Sequence, residues 1–252
     1  MKMSFIDENG YSLINEEQKI RIALSDRAKQ IMSEDMEVFG TKKAATFINI
    51  VFENYKSAAK SSISLYLQKR KLELDQILKE SSLDESSKKA VIHEILTDEK
   101  NKLLEKVKPY KTMKGESKLF HINDNNVKYL LEDCDEDLYY KRPSWYLRSI
   151  IEEYCSLPFI EREKYYRKDV YDIIEQACKE RRILKVKVNY YGDDQLFYVY
   201  PYKIVPEPFH TQSYLACYSR RVDEQETEKI VASFSMARIQ TPTMLTKTFH
   251  LN

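Results

Sequence analysis

The sequence contains the same apolar pattern twice, and this repetition limits the possible folds more than any other feature. In both copies four apolar residues fall at the spacing i, i+3, i+4 and i+7, first as Ile48, Val51, Phe52 and Tyr55, and then, 99 residues later, as Leu147, Ile150, Ile151 and Tyr154. Side chains with this spacing share one face of an α-helix. Each copy is therefore predicted to contain an amphipathic helix that buries the same face.

A second helix and a short strand are predicted ahead of each of these helices. The apolar residues of the earlier helix are Ala28, Ile31 and Met32 in the first copy and Val127, Leu130 and Leu131 in the second. The strands are the alternating segments KIRIALS at 19–25 and SKLFHIN at 117–123. Ser25 and Asn123 are good N-cap residues for the helices that follow, and the junction is predicted to be one residue longer in the second copy. We interpret the pattern as an internal duplication of a strand–helix–helix unit.

Between and after the two copies the sequence changes character. Residues 56–112 hold two amphipathic helical segments, which predict a helical hairpin spacer that ends near Pro109 and Gly115. After Tyr171 a helical segment is followed by four or five short β-rich segments with turns between them. Such an arrangement predicts a small barrel or a strongly bent sheet.

The signatures of enzymes and metal sites are absent from the sequence. GxGxxG, GxxxxGK[ST], GxSxG and HExxH do not occur, and the four histidines lack metal-ligand spacing. The carboxylates Asp133, Asp135, Glu136 and Asp137 form a run that is typical of a solvated helix face. We therefore expect no enzymatic activity, no cofactor and no metal.

Cysteine usage and charge indicate the surroundings in which the chain works. The four cysteines lie far apart with no CxxC pair, which favours a reducing cytoplasm. No apolar run approaches the roughly 18 residues of a membrane helix, so no membrane partner is expected. The net charge is +1, and any binding of nucleic acid has to come from a local basic face.

The duplicated unit resembles the ribbon-helix-helix family, whose members pair two strands into a ribbon that enters the DNA major groove. The resemblance implies that the outward strand side chains read bases and that the start of the second helix holds a phosphate. The base-reading positions are then Lys19, Arg21 and Ala23 in the first copy and His121 and Asn123 in the second. The phosphate positions are Thr41, Lys42 and Lys43, matched by Lys141, Arg142 and Ser144.

The second copy departs from this pattern in several ways. It has Pro143 at the start of its second helix, a more acidic first helix and a less basic strand. It is therefore predicted to keep the fold and to lose much of its contact with nucleic acid. Two alternatives stay open: the ribbons only mediate dimerisation, or the units pair within one chain rather than between the two chains of a homodimer.

The C-terminal β segments resemble a WYL domain, a small Sm-like β-barrel. The resemblance rests on Tyr190, on Pro201 and Tyr202 of PYKIV, on Ser213-Tyr214-Leu215 in place of the Trp-Tyr-Leu string, and on Phe234, Arg238 and Ile239. It covers about residues 169–241 and implies a sensor of nucleic acids or other phosphorylated ligands. The implied ligand residues are Tyr190, Tyr202, Tyr214, Tyr218, Arg220, Arg221 and Arg238. The alternative is that these tyrosines belong to the core and that the arginines are solvated.

The sequence thus predicts an α+β fold: duplicated ribbon-helix-helix units with a helical hairpin spacer, followed by a small Sm/SH3-like β-barrel. The predicted boundaries are 1–55 for the first unit, 56–112 for the spacer, 113–160 for the second unit, and 161–252 for a linker helix and the WYL-type barrel.

These resemblances imply a DNA-binding transcriptional regulator that acts as a homodimer and senses a nucleic-acid or phosphorylated ligand. Single-stranded RNA or DNA is the other nucleic-acid partner that the sequence allows. One alternative is an RNA-binding accessory protein, because the same architecture also resembles the accessory proteins of some type VI CRISPR systems. A second alternative is an oligomerisation scaffold that binds no nucleic acid.

Overall fold

The computed structural model shows an α+β protein with antiparallel sheets. It describes residues 5–6, 12–14, 18–112, 116–132, 142–190, 193–207, 212–225 and 228–250. The chain divides into two compact units, Met1–Ser156 and Leu157–Asn252. In the described part of the chain, no helix is both long enough and apolar enough to cross a membrane.

The first unit contains four strands and six helices among its described residues. In chain order these are β1 (Phe5–Ile6), β2 (Ser12–Ile14), β3 (Lys19–Ala23), α1 (Asp26–Val38), α2 (Ala44–Tyr55), α3 (Ile63–Leu78), α4 (Glu85–Thr112), β4 (Ser117–His121), α5 (Asp124–Glu132) and α6 (Pro143–Ser156). The order strand, helix, helix therefore occurs as β3–α1–α2 and again as β4–α5–α6.

Strands β3 and β4 form a two-stranded antiparallel ribbon within the one chain. Lys19 lies opposite His121 at one end of this ribbon, and Ala23 lies opposite Ser117 at the other. Ile20 and Phe120 are paired and buried. Arg21, the next residue of β3, points outward and is exposed. The alternation predicted from sequence is confirmed, and the strands pair within one chain.

The junctions between strand and helix are capped as predicted. The Ser25 hydroxyl accepts a hydrogen bond from the Ala28 N–H at 3.1 Å, and the Asn123 side chain accepts one from the Asn126 N–H at 2.8 Å. Two residues separate strand from helix in both copies, so the predicted extra residue at the second junction is wrong. Equal spacing aligns Ala28 with Asn126, and both are buried. The predicted match of Ala28 with Val127 is therefore displaced by one residue.

Helices α2 and α6 pack together and form the centre of the first unit. Edge-to-face contacts join Phe52 to Tyr146 and Phe47 to Tyr154, with ring centroids 5.9 and 6.0 Å apart. Seven of the eight residues of the repeated pattern are at most 1% exposed, and Tyr55 is 3% exposed. The apolar repeat is therefore the seam between the two copies.

Helices α3 and α4 form the predicted helical hairpin. The Arg70 Nε lies 3.0 Å from the Glu99 carboxylate of the facing helix, and Leu74 and Ile92 are buried. Helix α4 continues to Thr112 and does not end at Pro109. The carboxylate of Glu153 on α6 accepts hydrogen bonds from the Ser61 N–H and hydroxyl, at 2.7 and 2.6 Å. This contact fixes the start of the hairpin to the central helices.

The second unit is a five-stranded antiparallel sheet with two preceding helices. Its elements are α7 (Phe159–Tyr166), α8 (Lys168–Glu180), β5 (Arg182–Tyr190), β6 (Asp193–Pro206), β7 (Ser213–Arg221), β8 (Ile230–Ser235), a 3-10 turn (Met236–Arg238) and β9 (Thr243–Thr248). The strand order is β8-β7-β6-β5-β9. Among the described residues β8 and β9 are the two edge strands and do not pair with each other, so the predicted closed barrel is wrong. The strands and turns are correct, but the alternation along strands does not determine whether a sheet closes.

One face of the sheet carries the core of the second unit. Helix α8 packs its apolar side chains against alternate residues of β5, β6 and β7, and all of these are at most 5% exposed: Val170, Tyr171, Ile174, Ala177, Leu184, Val186, Val188, Val199, Leu215 and Cys217. Leu215 points into this core, and its neighbour Tyr214 therefore lies on the opposite face. We call that opposite face the outer face of the sheet.

Candidate nucleic-acid interfaces

Two groups of hydrogen bonds hold the ribbon on the helices beneath it, and each group crosses from one copy to the other. In the first, the Asn49 side chain of α2 donates to the His121 carbonyl at 2.9 Å and accepts from the Asn123 N–H at 2.9 Å. The buried Asn126 amide donates to the Asn49 side-chain oxygen at 3.0 Å. One side chain of the first copy thus fixes the strand-to-helix junction of the second.

In the reverse direction two residues of α6 share this task. The Arg148 Nε donates to the Ala23 carbonyl, and the Glu152 carboxylate accepts from the Ser25 N–H at 2.6 Å and from its hydroxyl at 2.7 Å. Burial lowers the pKa of Arg148, and the carboxylate of Glu152 partly offsets this shift. Ala23 and His121 are both the last residues of their strands, so the two groups are related by an approximate two-fold symmetry.

The outward side of the ribbon carries six side chains, with one cation at one end, one at the centre and none at the other end. The three opposed pairs are Lys19 with His121, Arg21 with Leu119, and Ala23 with Ser117. Arg21, Leu119 and His121 are exposed, and Lys19 is half-buried. The structure therefore places the predicted residues Lys19, Arg21 and His121 on one surface.

A cleft of about 430 Å³ opens beside the Lys19–His121 end of the ribbon. It is lined by Lys43, Ala45, Thr46, Asn49, Ile50, Glu53, His121 and Asn123. The cleft brings Lys43 of the first copy together with His121 and Asn123 of the second. Asn123 serves as a helix cap there, because its side chain accepts from Asn126 and its N–H donates to Asn49. The Asn123 side chain is therefore engaged as a helix cap, and this contact competes with its predicted role in reading bases.

The remaining predicted phosphate residues lie at the starts of α2 and α6. Thr41 is half-buried and Lys42 is exposed in the connection between α1 and α2. Arg142 stacks on the Trp145 ring, with its guanidinium carbon 4.6 Å from the ring centroid, and Ser144 is half-buried in the first turn of α6. Lys141 lies outside the described residues, as does the acidic run at 133–137.

The outer face of the sheet brings rings and cations together in register. Tyr198 of β6 lies opposite Lys185 of β5 and opposite Arg220 of β7. The Arg220 guanidinium carbon is 4.5 Å from the centroid of the Tyr198 ring. This cation–ring–cation row crosses three strands and is followed on β7 by Tyr218, which is 41% exposed. We call Lys185, Tyr198, Tyr218 and Arg220 the tyrosine–arginine row.

The half-buried Arg220 guanidinium is positioned by backbone carbonyls of the following turn. Its Nη1 donates to the Glu224 and Arg221 carbonyls, and its Nε is buried with no acceptor among the described residues. A planar guanidinium that contacts a ring is suited to bind phosphate, and the nitrogen left for this contact at Arg220 is Nη2. Arg221 is exposed and donates to the Gln195 side chain at 3.0 Å.

The other predicted ligand residues of the second unit occupy different places. Tyr202 is 56% exposed at a register shift between Pro201 and Lys203, and Tyr214 is half-buried on the outer face. Arg238 is exposed in the 3-10 turn, whose Met236 and Ile239 belong to the core on the other face. Arg238 is therefore not grouped with the tyrosine–arginine row. The side chain of Tyr190 lies outside the described residues.

Sequence reasoning missed several members of the outer face. Tyr198, Lys185 and Lys229 were not predicted, and the Lys229 ammonium is 4.2 Å from the centroid of Tyr200. Tyr200 itself is buried against Phe249, with centroids 5.5 Å apart. Alternation along β6 places Tyr198 on the same face as Tyr200, and this signal was available in the sequence.

A buried polar network joins α7 and α8 to the turn after β8. The Arg167 guanidinium donates to the carbonyls of Met236 and Ile239, and the Tyr171 hydroxyl donates to the Glu163 carboxylate at 2.8 Å. Burial raises the pKa of Glu163, although the Tyr171 hydrogen bond and the charge of Arg167 partly oppose the shift. Burial also lowers the pKa of Arg167 and raises that of Tyr171. The network holds the turn that carries Arg238.

Comparison with known proteins gives a fold and no family. No family model matches the sequence, and no curated protein matches it. A CRISPR Cas-related protein of known crystal structure matches over 96% of this chain with 19% identity and a TM-score of 0.62, and the chain spans 66% of that protein's length. Proteasome accessory factor B/C (PafBC) of Arthrobacter aurescens matches over 52% of this chain and 22% of its own, with 13% identity and a TM-score of 0.29. The first similarity shows a common fold, and the second is too low to add to it.

Proposed function

We propose that this protein is a non-enzymatic, RNA-binding accessory or regulatory protein of a CRISPR system, and that it binds single-stranded RNA on the outer face of its five-stranded sheet. The proposal treats β3–α1–α2 and β4–α5–α6 as ribbon-helix-helix units paired within the chain. It treats the sheet of the second unit as a WYL-type domain that has an open edge. The ribbon supplies a second surface for nucleic acid.

The observation that carries this proposal is the tyrosine–arginine row. Single-strand binders combine aromatic faces, on which bases stack, with cations that follow the phosphates. The row supplies both, because the Tyr198 ring lies between Lys185 and Arg220 and the exposed Tyr218 follows on the next outward position of β7. Tyr218 is the diagonal neighbour of Tyr198 on the adjacent strand, and such neighbours are roughly 7–8 Å apart, so two successive bases can reach the two rings.

A link to CRISPR systems is supported by the fold that the chain shares with a CRISPR Cas-related protein over 96% of its length. The sequence resemblance to type VI accessory proteins points the same way. The choice of RNA over duplex DNA rests on the outer face, since a duplex keeps its bases stacked and gives the exposed tyrosines no partner.

A second candidate function, a DNA-binding transcriptional regulator, is favoured by the ribbon. Arg21 is exposed at its centre and Lys19 is near one end, and arginine and lysine are the common partners of guanine in the major groove. The predicted homodimer remains part of both proposals. It has to use another surface, because the ribbon is already complete within one chain.

The test compares variants of the full chain in fluorescence anisotropy with labelled single-stranded RNA, single-stranded DNA and duplex DNA at several salt concentrations. Tyr218→Ala is expected to weaken RNA binding about 5- to 100-fold, the range for losing one stacked base. Val231→Ala on the neighbouring edge strand is the matched control, because Val231 is 78% exposed and carries no ring. Duplex DNA bound more tightly than RNA, with Tyr218→Ala unchanged, supports the second candidate instead. No binding of any probe at low salt contradicts both.

A further inference from the structure

The geometry of the ribbon points to a one-sided interface. We propose that only the end formed by Lys19, His121 and Lys43 holds nucleic acid, so that the ribbon recognises a single asymmetric half-site. We call this the Lys43 end, and we call the opposite end, beside the start of α6, the Arg142 end. The inference rests on the proposed function, because it assumes that the ribbon binds nucleic acid.

The approximate two-fold symmetry of the ribbon makes the comparison of its ends direct. The crossed hydrogen bonds place the last residues of the two strands, Ala23 and His121, at equivalent positions. Counting back along each strand makes Lys19 equivalent to Ser117 and Arg21 equivalent to Leu119. Both outward cations of the first copy are therefore replaced by neutral residues in the second. A symmetric interface needs the same contacts at both ends.

The Lys43 end combines positive charge with space. Lys19 and His121 face each other there, and the exposed Lys43 lines the cleft of about 430 Å³ beside them. Thr46 adds a hydroxyl to the cleft and Glu53 adds one carboxylate. The exposed Lys42 precedes Lys43 in the same connection. Asp124, whose carboxylate accepts from the Gln18 side chain, adds a second carboxylate near this end. Lys19, Lys42 and Lys43 still outnumber the two carboxylates, which favours a phosphate group in the cleft.

The outward pair at the Arg142 end carries no cation. This pair is Ala23 with Ser117, and Arg142 itself is half-buried against the Trp145 ring. Lys118 is exposed at the same end of β4, but it lies opposite Ile22 on the other side of the ribbon. There it lines a separate cleft of about 300 Å³ with Lys29 and Glu116. The outward side chains of the ribbon therefore favour nucleic acid at the Lys43 end.

The number of phosphates follows from this charge distribution. Lys19, Arg21, Lys42 and Lys43 provide at most four contacts, and each changes the slope of log K against log salt by about −0.7 for a single strand and −0.9 for a duplex. The ribbon alone is therefore expected to give a slope of about −2 to −4. A symmetric ribbon with both ends engaged gives roughly twice that value.

The test uses a full-length background with Tyr218→Ala and Arg220→Ala, which removes the contribution of the sheet. In this background Lys43→Ala is compared with Arg142→Ala, and Lys19→Ala with Ser117→Ala, on the RNA and DNA probes. Thermal melting of every variant confirms that it is folded. We expect Lys43→Ala and Lys19→Ala each to weaken binding about 3- to 10-fold, and the two controls to stay within about 2-fold, since an unused side chain contributes nothing to the salt-dependent term.

The outcomes separate this inference from the proposed function. Equal losses for Lys43→Ala and Arg142→Ala overturn the one-sided interface and leave RNA binding by the sheet intact. A background that no longer binds, while the unmodified chain does, also overturns the inference, because the ribbon then holds no nucleic acid. A chain that binds no probe before any substitution overturns the proposed function, and the inference with it.

Discussion

Asn49 on α2 donates a hydrogen bond of 2.9 Å to the carbonyl of His121, 72 residues further along the chain. This bond joins the helix of one copy to the strand of the other. It holds His121 at the edge of the cleft and lets the same Asn49 side chain accept from the Asn123 N–H. The position of this end of the ribbon, and the presentation of His121 on it, therefore depend on Asn49, as the other end depends on Arg148 and Glu152.

Replacing Asn49 with alanine is expected to destabilise the chain by about 2 kcal/mol, because the Asn123 N–H and the buried Asn126 amide lose an acceptor. The measurement is urea unfolding followed by the fluorescence of Trp145, the single tryptophan. Asn54→Ala on the same helix is the matched control, since Asn54 is half-buried and is expected to cost less than about 1 kcal/mol. Similar losses for both variants would show that the crossed hydrogen bond has no special role.

The seam between α2 and α6 is expected to dominate the stability of the first unit. Ile150 is fully buried between the copies, and Ile150→Ala is expected to cost about 2–5 kcal/mol by loss of contacts and creation of a cavity. Leu72→Ala provides the control on α3, because Leu72 is 66% exposed and its truncation is expected to stay within about 0.5 kcal/mol. Urea midpoints of the two variants decide the point, and a small loss for Ile150→Ala contradicts the assignment of this seam as the core.

Glu163 gives the second unit a pH dependence whose sign follows from its surroundings. Burial raises the pKa of its carboxyl group above the ordinary value of 4.5. The unfolded chain therefore loses this proton first, and stability falls as the pH rises from about 4.5 through the pKa of the folded state. Glu163→Gln keeps an acceptor for the Tyr171 hydroxyl and removes the proton equilibrium. We expect the variant to lose less stability than the wild type between about pH 4 and pH 7.

The measurement for Glu163→Gln is urea unfolding at both pH values, followed by the circular dichroism of the tyrosines. Glu175→Gln serves as the control, because Glu175 is an exposed partner of Lys164 on the neighbouring helix. A steeper loss for Glu163→Gln than for the wild type would mean that the attraction between Glu163 and the charge of Arg167 outweighs the cost of burial.

Cys217 is expected to react with thiol reagents only when the sheet opens. It is 5% exposed in the core, and burial raises the pKa of its thiol to about 12. Because the thiolate is the reactive form, alkylation of the native chain at neutral pH should be slow. Mass spectrometry of the alkylated peptides checks this, with labelling after unfolding in urea as the reference. Rapid labelling of Cys217 in the native chain would contradict the buried position.

Local patterns in the sequence predicted the parts of the fold that depend on neighbours in the chain. The cap residues Ser25 and Asn123 and the helical hairpin follow from such patterns and are confirmed. The prediction aligned α1 with α5 by their apolar residues and was wrong by one residue, because the position equivalent to Ala28 holds the polar Asn126. A buried asparagine is stable there because the Asn49 side chain accepts its hydrogen bond. That partner lies 77 residues away, and no local pattern reveals it.

The candidate site was less predictable for the same reason. Lys19, Arg21 and His121 are grouped as expected, because alternation along a strand determines which side chains point outward. Arg238 was predicted as a ligand residue and lies apart from the tyrosine–arginine row, whereas Tyr198 was not predicted and lies within it. Only the pairing of β6 with β5 and β7 places Tyr198 between two cations. Closure of the sheet into a barrel was also not predictable, because it depends on whether the two edge strands pair with each other.

The most direct measurement is photo-crosslinking of the full chain to single-stranded RNA that carries 4-thiouridine, followed by mass spectrometry of the modified peptides. We predict crosslinks on β6 and β7 at Tyr198 or Tyr218, and their loss in Arg220→Ala at a salt concentration where the unmodified chain still binds. Crosslinks confined to the core-side turn around Arg238, or unchanged in Arg220→Ala, would contradict RNA binding on the outer face of the sheet.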